Sequence, residues 1–117
     1  MLVNGETSPL ERIRHRHLVI PYSFDNNDSR LQRRGDFATG DEFFTYCRDA
    51  FDWLYHMGEE GRPRMMSIGL HGRIIGRPGR IGALARLLGH IRRHEHVWLC
   101  TREAIARHWL THHAQVR

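Results

Sequence analysis

A histidine that closes a short apolar run is the residue of this 117-residue chain best placed to do chemistry. The run is Met65-Met66-Ser67-Ile68-Gly69-Leu70, and His71 follows it directly, ahead of the glycine- and arginine-rich stretch Gly72 to Gly79. If the run is a strand, His71 projects from its carboxyl edge, where α/β folds gather functional groups. An imidazole there can act as general acid, general base or oxyanion donor near neutral pH. The same position equally suits a histidine that only hydrogen-bonds a loop carbonyl. Arg73 and Arg77 flank a turn stiffened by two glycines and a proline, and a guanidinium fork suits a carboxylate, a phosphate or a urea-like carbonyl array. A solvated loop accounts for Arg77; Arg73, two residues from His71, keeps both readings. A second loop carries Asp25, Asn27, Asp28 and Arg30. It reads as a hydrogen-bonded turn or as a cation loop, although no EF-hand spacing or distal glutamate follows.

Two histidine pairs have i, i+4 spacing, His90 with His94 and His108 with His112, which puts each pair on one helical face. That spacing can hold zinc. Neither pair has the glutamate of H-E-x-x-H, and both fall toward helix carboxyl ends, where a histidinium favours the helix dipole. They read as structural or surface histidines, with adventitious nickel or zinc binding as the exception, and the sequence assigns no metal ligand. Cys47 lies on an apolar helical stripe and reads as core, whereas Cys100 ends a strand. Two cysteines make neither a disulfide framework nor a zinc pattern. No P-loop, dinucleotide-binding glycine pattern or G-x-S-x-G is present.

The elements that must position these residues alternate. Residues 1–16 are polar and without period, a poorly ordered lead-in, and 17–117 form the folded portion. His17 to Tyr22 reads as a strand ended by Pro21. Ser23 to Gly40 has turn formers and no period, and a structureless loop that long is functional or disordered. Thr39 with Glu42 is a capping box, and Phe43, Cys47, Ala50, Phe51, Leu54 and Met57 make the apolar face of the helix it opens. Gly58 ends that helix. Met65 to Leu70 is the second strand. A helix with the stripe Ile81, Leu84, Ala85, Leu88 and Ile91 follows. His96 to Cys100 is the third strand, and Thr101 caps a last helix carrying Ala104, Ile105 and Trp109. The expected class is therefore α/β, three βα units in the order β-α-β-α-β-α, which points to a parallel sheet covered by helices. Three strands make a thin sheet, and a piece of a (β/α) barrel fits the pattern as well as a small doubly wound domain.

Composition sets the outer bounds. Hydrophobic residues are 40% and charged residues 26%, so a core can form and global disorder is excluded. Nothing approaches the ~20 apolar residues of a membrane span, and the start lacks the apolar region of a secretory signal. The net charge is +5, and every one of the 18 cations is arginine. Those arginines are spread from Arg12 to Arg117 among interleaved carboxylates, not clustered with stacking aromatics, so the charge does not argue for a nucleic-acid partner. The expected compartment is cytoplasmic with reduced thiols.

The residues together resemble a known family. Pro21 through Arg30 (PYSFDNNDSR), Gly40-Asp41-Glu42-Phe43-Phe44, Met66 through Arg80 (MSIGLHGRIIGRPGR), and Val97 through Arg102 with Ile105 through Trp109 are similar, in order, to the allantoinase branch of the polysaccharide deacetylase (NodB-type) family. The resemblance covers only the C-terminal third of a complete member. It implies a partial (β/α) barrel of the polysaccharide deacetylase type from a hydrolase of non-peptide C–N bonds, opening allantoin to allantoate with no metal or other cofactor. Related members remove N-acetyl groups from glycans using a metal held by one Asp and two His. His71 matches the catalytic histidine that protonates the leaving nitrogen; Asn27, Asp28 and Arg73 match positions near the mouth of the site that contact substrate. The implied partner is a small amide, with no nucleic acid and no membrane, and either further copies of the chain or a completing chain.

The departures from the family are as informative. Members have an early paired Asp and a following histidine motif, which supply the base and any metal ligands, and no such pattern occurs here. Gly72 stands where relatives often have cysteine, and Ser29 and Leu31 replace the usual Met and Phe. A water nucleophile needs a base within hydrogen-bond reach, so the chain by itself is expected to be inactive. Within enzymes the other reading is a fragment of a metal-dependent glycan or chitin deacetylase; outside them it is a non-catalytic interaction remnant.

Overall fold

The computed structural model describes residues 17–113, so the lead-in expected over 1–16 lies outside the described residues. The elements in order are a 3-10 turn (Asp28–Gln32), α1 (Gly40–Glu59), the short α2 (Gly72–Ile75), α3 (Ile81–Arg92) and α4 (Arg102–His112). Pro21–Leu99 forms one compact unit, and α4 belongs to another.

Helix α1 starts where a capping box places it. Thr39 Oγ1 accepts the Glu42 N–H at 3.2 Å, which satisfies a donor that the first helical turn leaves unpaired, and Glu42 Oε1 reaches back to accept the N–H of Ala38, just before the cap, at 3.2 Å. One face is then buried through Phe43, Cys47 and Phe51, spaced by four so that they fall in one row. Helix α3 packs on that row. Its buried face is Ala83, Leu87 and Ile91, a correction to the expected stripe: Ile81 and Leu88 are 44% and 39% exposed. The reason is the close crossing near the start of both helices. A Cβ added to Gly40 would come within 3.1 Å of the Ala83 Cβ, so the small pair sets the rotation of α3 and turns Ile81 outward. Ile74 and Ile75 of α2, with Leu31 and Phe37 from the loop before α1, complete the core.

The three expected strands do not form: among the described residues there is no ladder, only one parallel bridge, Asn27 with Gly69. Its hydrogen bonds are good, Asp28 N–H to Gly69 O at 2.9 Å and Gly69 N–H to Asn26 O at 2.8 Å. Further rungs need both chains to stay extended. Instead Asn27 caps the 3-10 turn, its Oδ1 accepting the Ser29 N–H at 2.9 Å, and three residues past Gly69 the chain enters α2. The third expected strand fails at its first residue, because His96 has φ 62°, the left-handed region. Apolar residues of these segments stay open to solvent, Trp98 at 58% and Leu99 at 64%.

The stretch from Ser23 to Gly40, expected to be irregular, is ordered by Arg30. Its guanidinium bonds Asp36 at 3.0 Å and Asp25 at 3.3 Å and lies over the rings of Phe37 and Tyr46, 4.2 and 4.5 Å from their centroids. Tyr46 closes the arrangement by donating its hydroxyl to Asp25 at 2.6 Å. The hydrogen bond to Asp36 raises the Arg30 pKa, and the same bond holds the Asp36 carboxyl below its ordinary value. Helix α4 is capped as expected, Thr101 Oγ1 accepting the Ala104 N–H at 3.1 Å, but none of its residues is buried.

Candidate active site

The single bridge exists at the point where Asp28 and His71, 43 residues apart, come together. Asp28 has no exposed surface. Its Oδ2 accepts the backbone N–H of His71 at 2.6 Å and of Ile75 at 3.3 Å, while Oδ1 lies 2.7 Å from His71 Nδ1. A carboxylate can only accept, so Nδ1 carries the proton and donates it. That fixes ring orientation and tautomer and leaves Nε2 as the nitrogen free for chemistry. The His71 side chain is 32% exposed, enough for a reactant to reach it. Burying a carboxylate without partners is costly, and three donors answer that cost here.

The remaining expected residues divide. Arg73 is exposed on α2. Its main-chain carbonyl accepts from Arg77 Nε at 3.2 Å, which makes Arg77 a local brace. Asn27 and Asp28, expected at the mouth in contact with substrate, lie beneath the surface, at 1% and 0% exposure. Asn27 Nδ2 donates to the Tyr22 hydroxyl and to Ser23 O, each at 2.8 Å, and its Oδ1 is taken by the cap. Its polar atoms are spent on holding the bend that delivers Asp28.

Gly69 is a residue whose importance the sequence reading missed. A Cβ there would collide with the Asn27 side-chain amide and sit 3.1 Å from the Tyr22 hydroxyl, so only glycine leaves room for the Asn27 side chain at the bridge. The signal was available, since a glycine inside an apolar strand pattern marks close backbone approach. Beside it, Asn26 Oδ1 is buried with no hydrogen-bond partner among the described residues. Cys47 is removed from consideration as a nucleophile, because burial pushes its thiol up to about 12.

Asp28 and His71 could ligate a metal only by giving up their bond to each other, and no third ligand joins them among the described residues. Among the described residues this pair does not by itself make a metal centre. What they form is a carboxylate-oriented imidazole able to hold or deliver a proton at Nε2.

Known proteins share this arrangement of sequence and fold. No protein-family model matches the chain. A Schizosaccharomyces pombe protein described as "Putative polysaccharide deacetylase" is 49% identical over 96 residues, which is 82% of this chain and 30% of the relative. The crystal structure of a "probable Polysaccharide deacetylase" from Pseudomonas aeruginosa PAO1 matches with TM-score 0.80 and 50% identity, over 83% of this chain and 32% of that one. The crystal structure of Puue allantoinase matches with TM-score 0.85 and 48% identity, over 93% of this chain and 36% of that one. By sequence and by fold, therefore, the chain is homologous to about a third of a polysaccharide deacetylase-family protein.

Proposed function

We propose that the chain contributes the histidine-bearing part of a hydrolase for non-peptide C–N bonds, with a cyclic amide of the allantoin type as substrate. It would correspond to the C-terminal third of a complete enzyme. The observation that carries this reading is the buried Asp28 carboxylate fixing His71 with Nε2 outward. In the reaction, water adds to the amide carbon and gives its proton to a base. The C–N bond then breaks as the leaving nitrogen takes the proton from Nε2 of the imidazolium, which returns neutral. The Nδ1 proton stays on His71, hydrogen-bonded to Asp28, throughout. Arg73, exposed two residues from His71, suits the carbonyl oxygens of such a ring. Among the described residues Asp28 is the carboxylate bonded to His71, and it faces the wrong ring nitrogen to activate water. In this reading another polypeptide segment supplies the base, and the chain by itself would not turn over substrate.

The test is reconstitution. This chain is co-expressed with the portion of Puue allantoinase that it does not match, and allantoin consumption is followed. Turnover should need both pieces and fall at least ~100-fold with His71→Ala, the scale of a lost general acid. Absence of turnover in a verified complex overturns the proposal, as does full activity of the His71→Ala complex. Release of acetate from an N-acetylated chitooligosaccharide in place of allantoin opening favours the second reading, glycan deacetylation, which rests on the two relatives described as polysaccharide deacetylases.

A further inference from the structure

We propose that Asp52, His90 and His94 form a binding site for a divalent transition metal of the zinc class, joining α1 to the end of α3. The three side chains each offer a ligand atom, all within 4.8 Å of one another. They are separate from Asp28 and His71, and the reaction described above makes no use of them.

His90 lies in the last turn of α3 and His94 two residues past its end, and packing of α3 on α1 brings Asp52 to His90 across 38 residues. His90 Nε2 lies 2.6 Å from Asp52 Oδ1. His94 Nδ1 lies 2.8 Å from the His90 carbonyl oxygen, and a carbonyl can only accept. His94 therefore carries its proton on Nδ1 and its lone pair on Nε2, the tautomer that a ring-to-carbonyl bond sets in metal-binding histidines. Aromatic edges hold both rings in place. Phe51 meets His94 at 5.0 Å and His90 at 5.8 Å between centroids, and Tyr55 meets His94 at 4.8 Å. Two imidazoles and one carboxylate are a ligand set suited to zinc and its neighbours. Atoms bound to one such ion lie at most about 4 Å apart, given bond lengths of ~2 Å, so the three ligand atoms draw slightly closer together when an ion enters. Asp52 is 47% exposed and His90 19%, which leaves Asp52 free to move and gives the ion an entry path and room for water as a fourth ligand.

The experiment uses the full chain without an affinity tag, titrated with zinc chloride by calorimetry and with cobalt(II) by visible absorption. One equivalent of zinc should bind, raise the Tm and, as cobalt, give the spectrum of a nitrogen- and oxygen-ligated ion. His90→Gln, His94→Gln and Asp52→Asn should each weaken binding by at least ~10–100-fold and abolish the Tm rise, while His108→Gln with His112→Gln should change neither. Circular dichroism checks folding; if a histidine variant does not fold, the exposed Asp52→Asn decides. No saturable binding, binding undiminished in the folded variants, or binding lost only with His108 and His112 overturns the proposal.

Discussion

Among the described residues, two aspartate–histidine pairs have nearly equal length and opposite character. Asp28 and His71 are 2.7 Å apart, with the carboxylate fully buried and two backbone N–H groups also donating to it. Asp52 and His90 are 2.6 Å apart, with the carboxylate 47% exposed. Distance alone would rank them as equals. Surroundings separate them: the first is locked, because moving Asp28 strands three donors in the interior, while the second can open, because water replaces whatever Asp52 releases. A locked pair suits the positioning of one proton, and an adjustable pair suits the capture of an ion.

The largest effect should come from removing the locked carboxylate. Asp28→Ala leaves its donors without a partner and should lower stability by ~3–5 kcal/mol, the scale for breaking a buried pair, read from urea unfolding. The equivalent change in the open pair, Asp52→Ala, should stay within about 1 kcal/mol. Similar losses in the two variants would break the comparison.

Gly69→Ala sharpens it by disturbing the locked pair without touching either member. The added methyl drives into Asn27 and should cost ~1–3 kcal/mol, as overpacking does. His71 should then lose its fixed tautomer, visible in the nitrogen chemical shifts of its ring, while the shifts of His90 stay put.

A smaller effect should appear at Arg30 and Asp36, a pair between these extremes. The Arg30 hydrogen bond lowers the Asp36 pKa from its ordinary 3.8. A carboxyl whose folded value is depressed adds stability above its unfolded value and loses it as pH falls through the folded one. Urea midpoints should therefore drop as pH falls below about 4, and the drop should be shallower in Arg30→Gln. An identical slope would remove that contribution.

How much of this was legible depends on how local each feature is. The Thr39 and Thr101 caps and the row Phe43, Cys47, Phe51 were readable because a cap spans three residues and a helical face repeats every three or four. His71 stood out because it follows an apolar run directly. The three strands were misread, since apolar β-branched residues state a preference for extended chain while a ladder depends on neighbours that stay extended alongside. The burial of Asn27 and Asp28 was not legible, because a polar loop shows no period until Arg30 and the bridge to Gly69 fold it inward.

The sequence by itself determined helices α1, α3 and α4, the caps of α1 and α4, most of the buried face of α1 and the candidacy of His71, because those rest on interactions within a few residues of chain; the short α2 falls in a stretch read as a loop. Only the tertiary structure decided that Asp28 holds His71 across 43 residues, that Gly40 against Ala83 rotates α3, and that Asp52 meets His90 and His94. Each of those depends on how distant segments pack, and a hydrogen bond between residues far apart in the chain leaves no period or spacing to read.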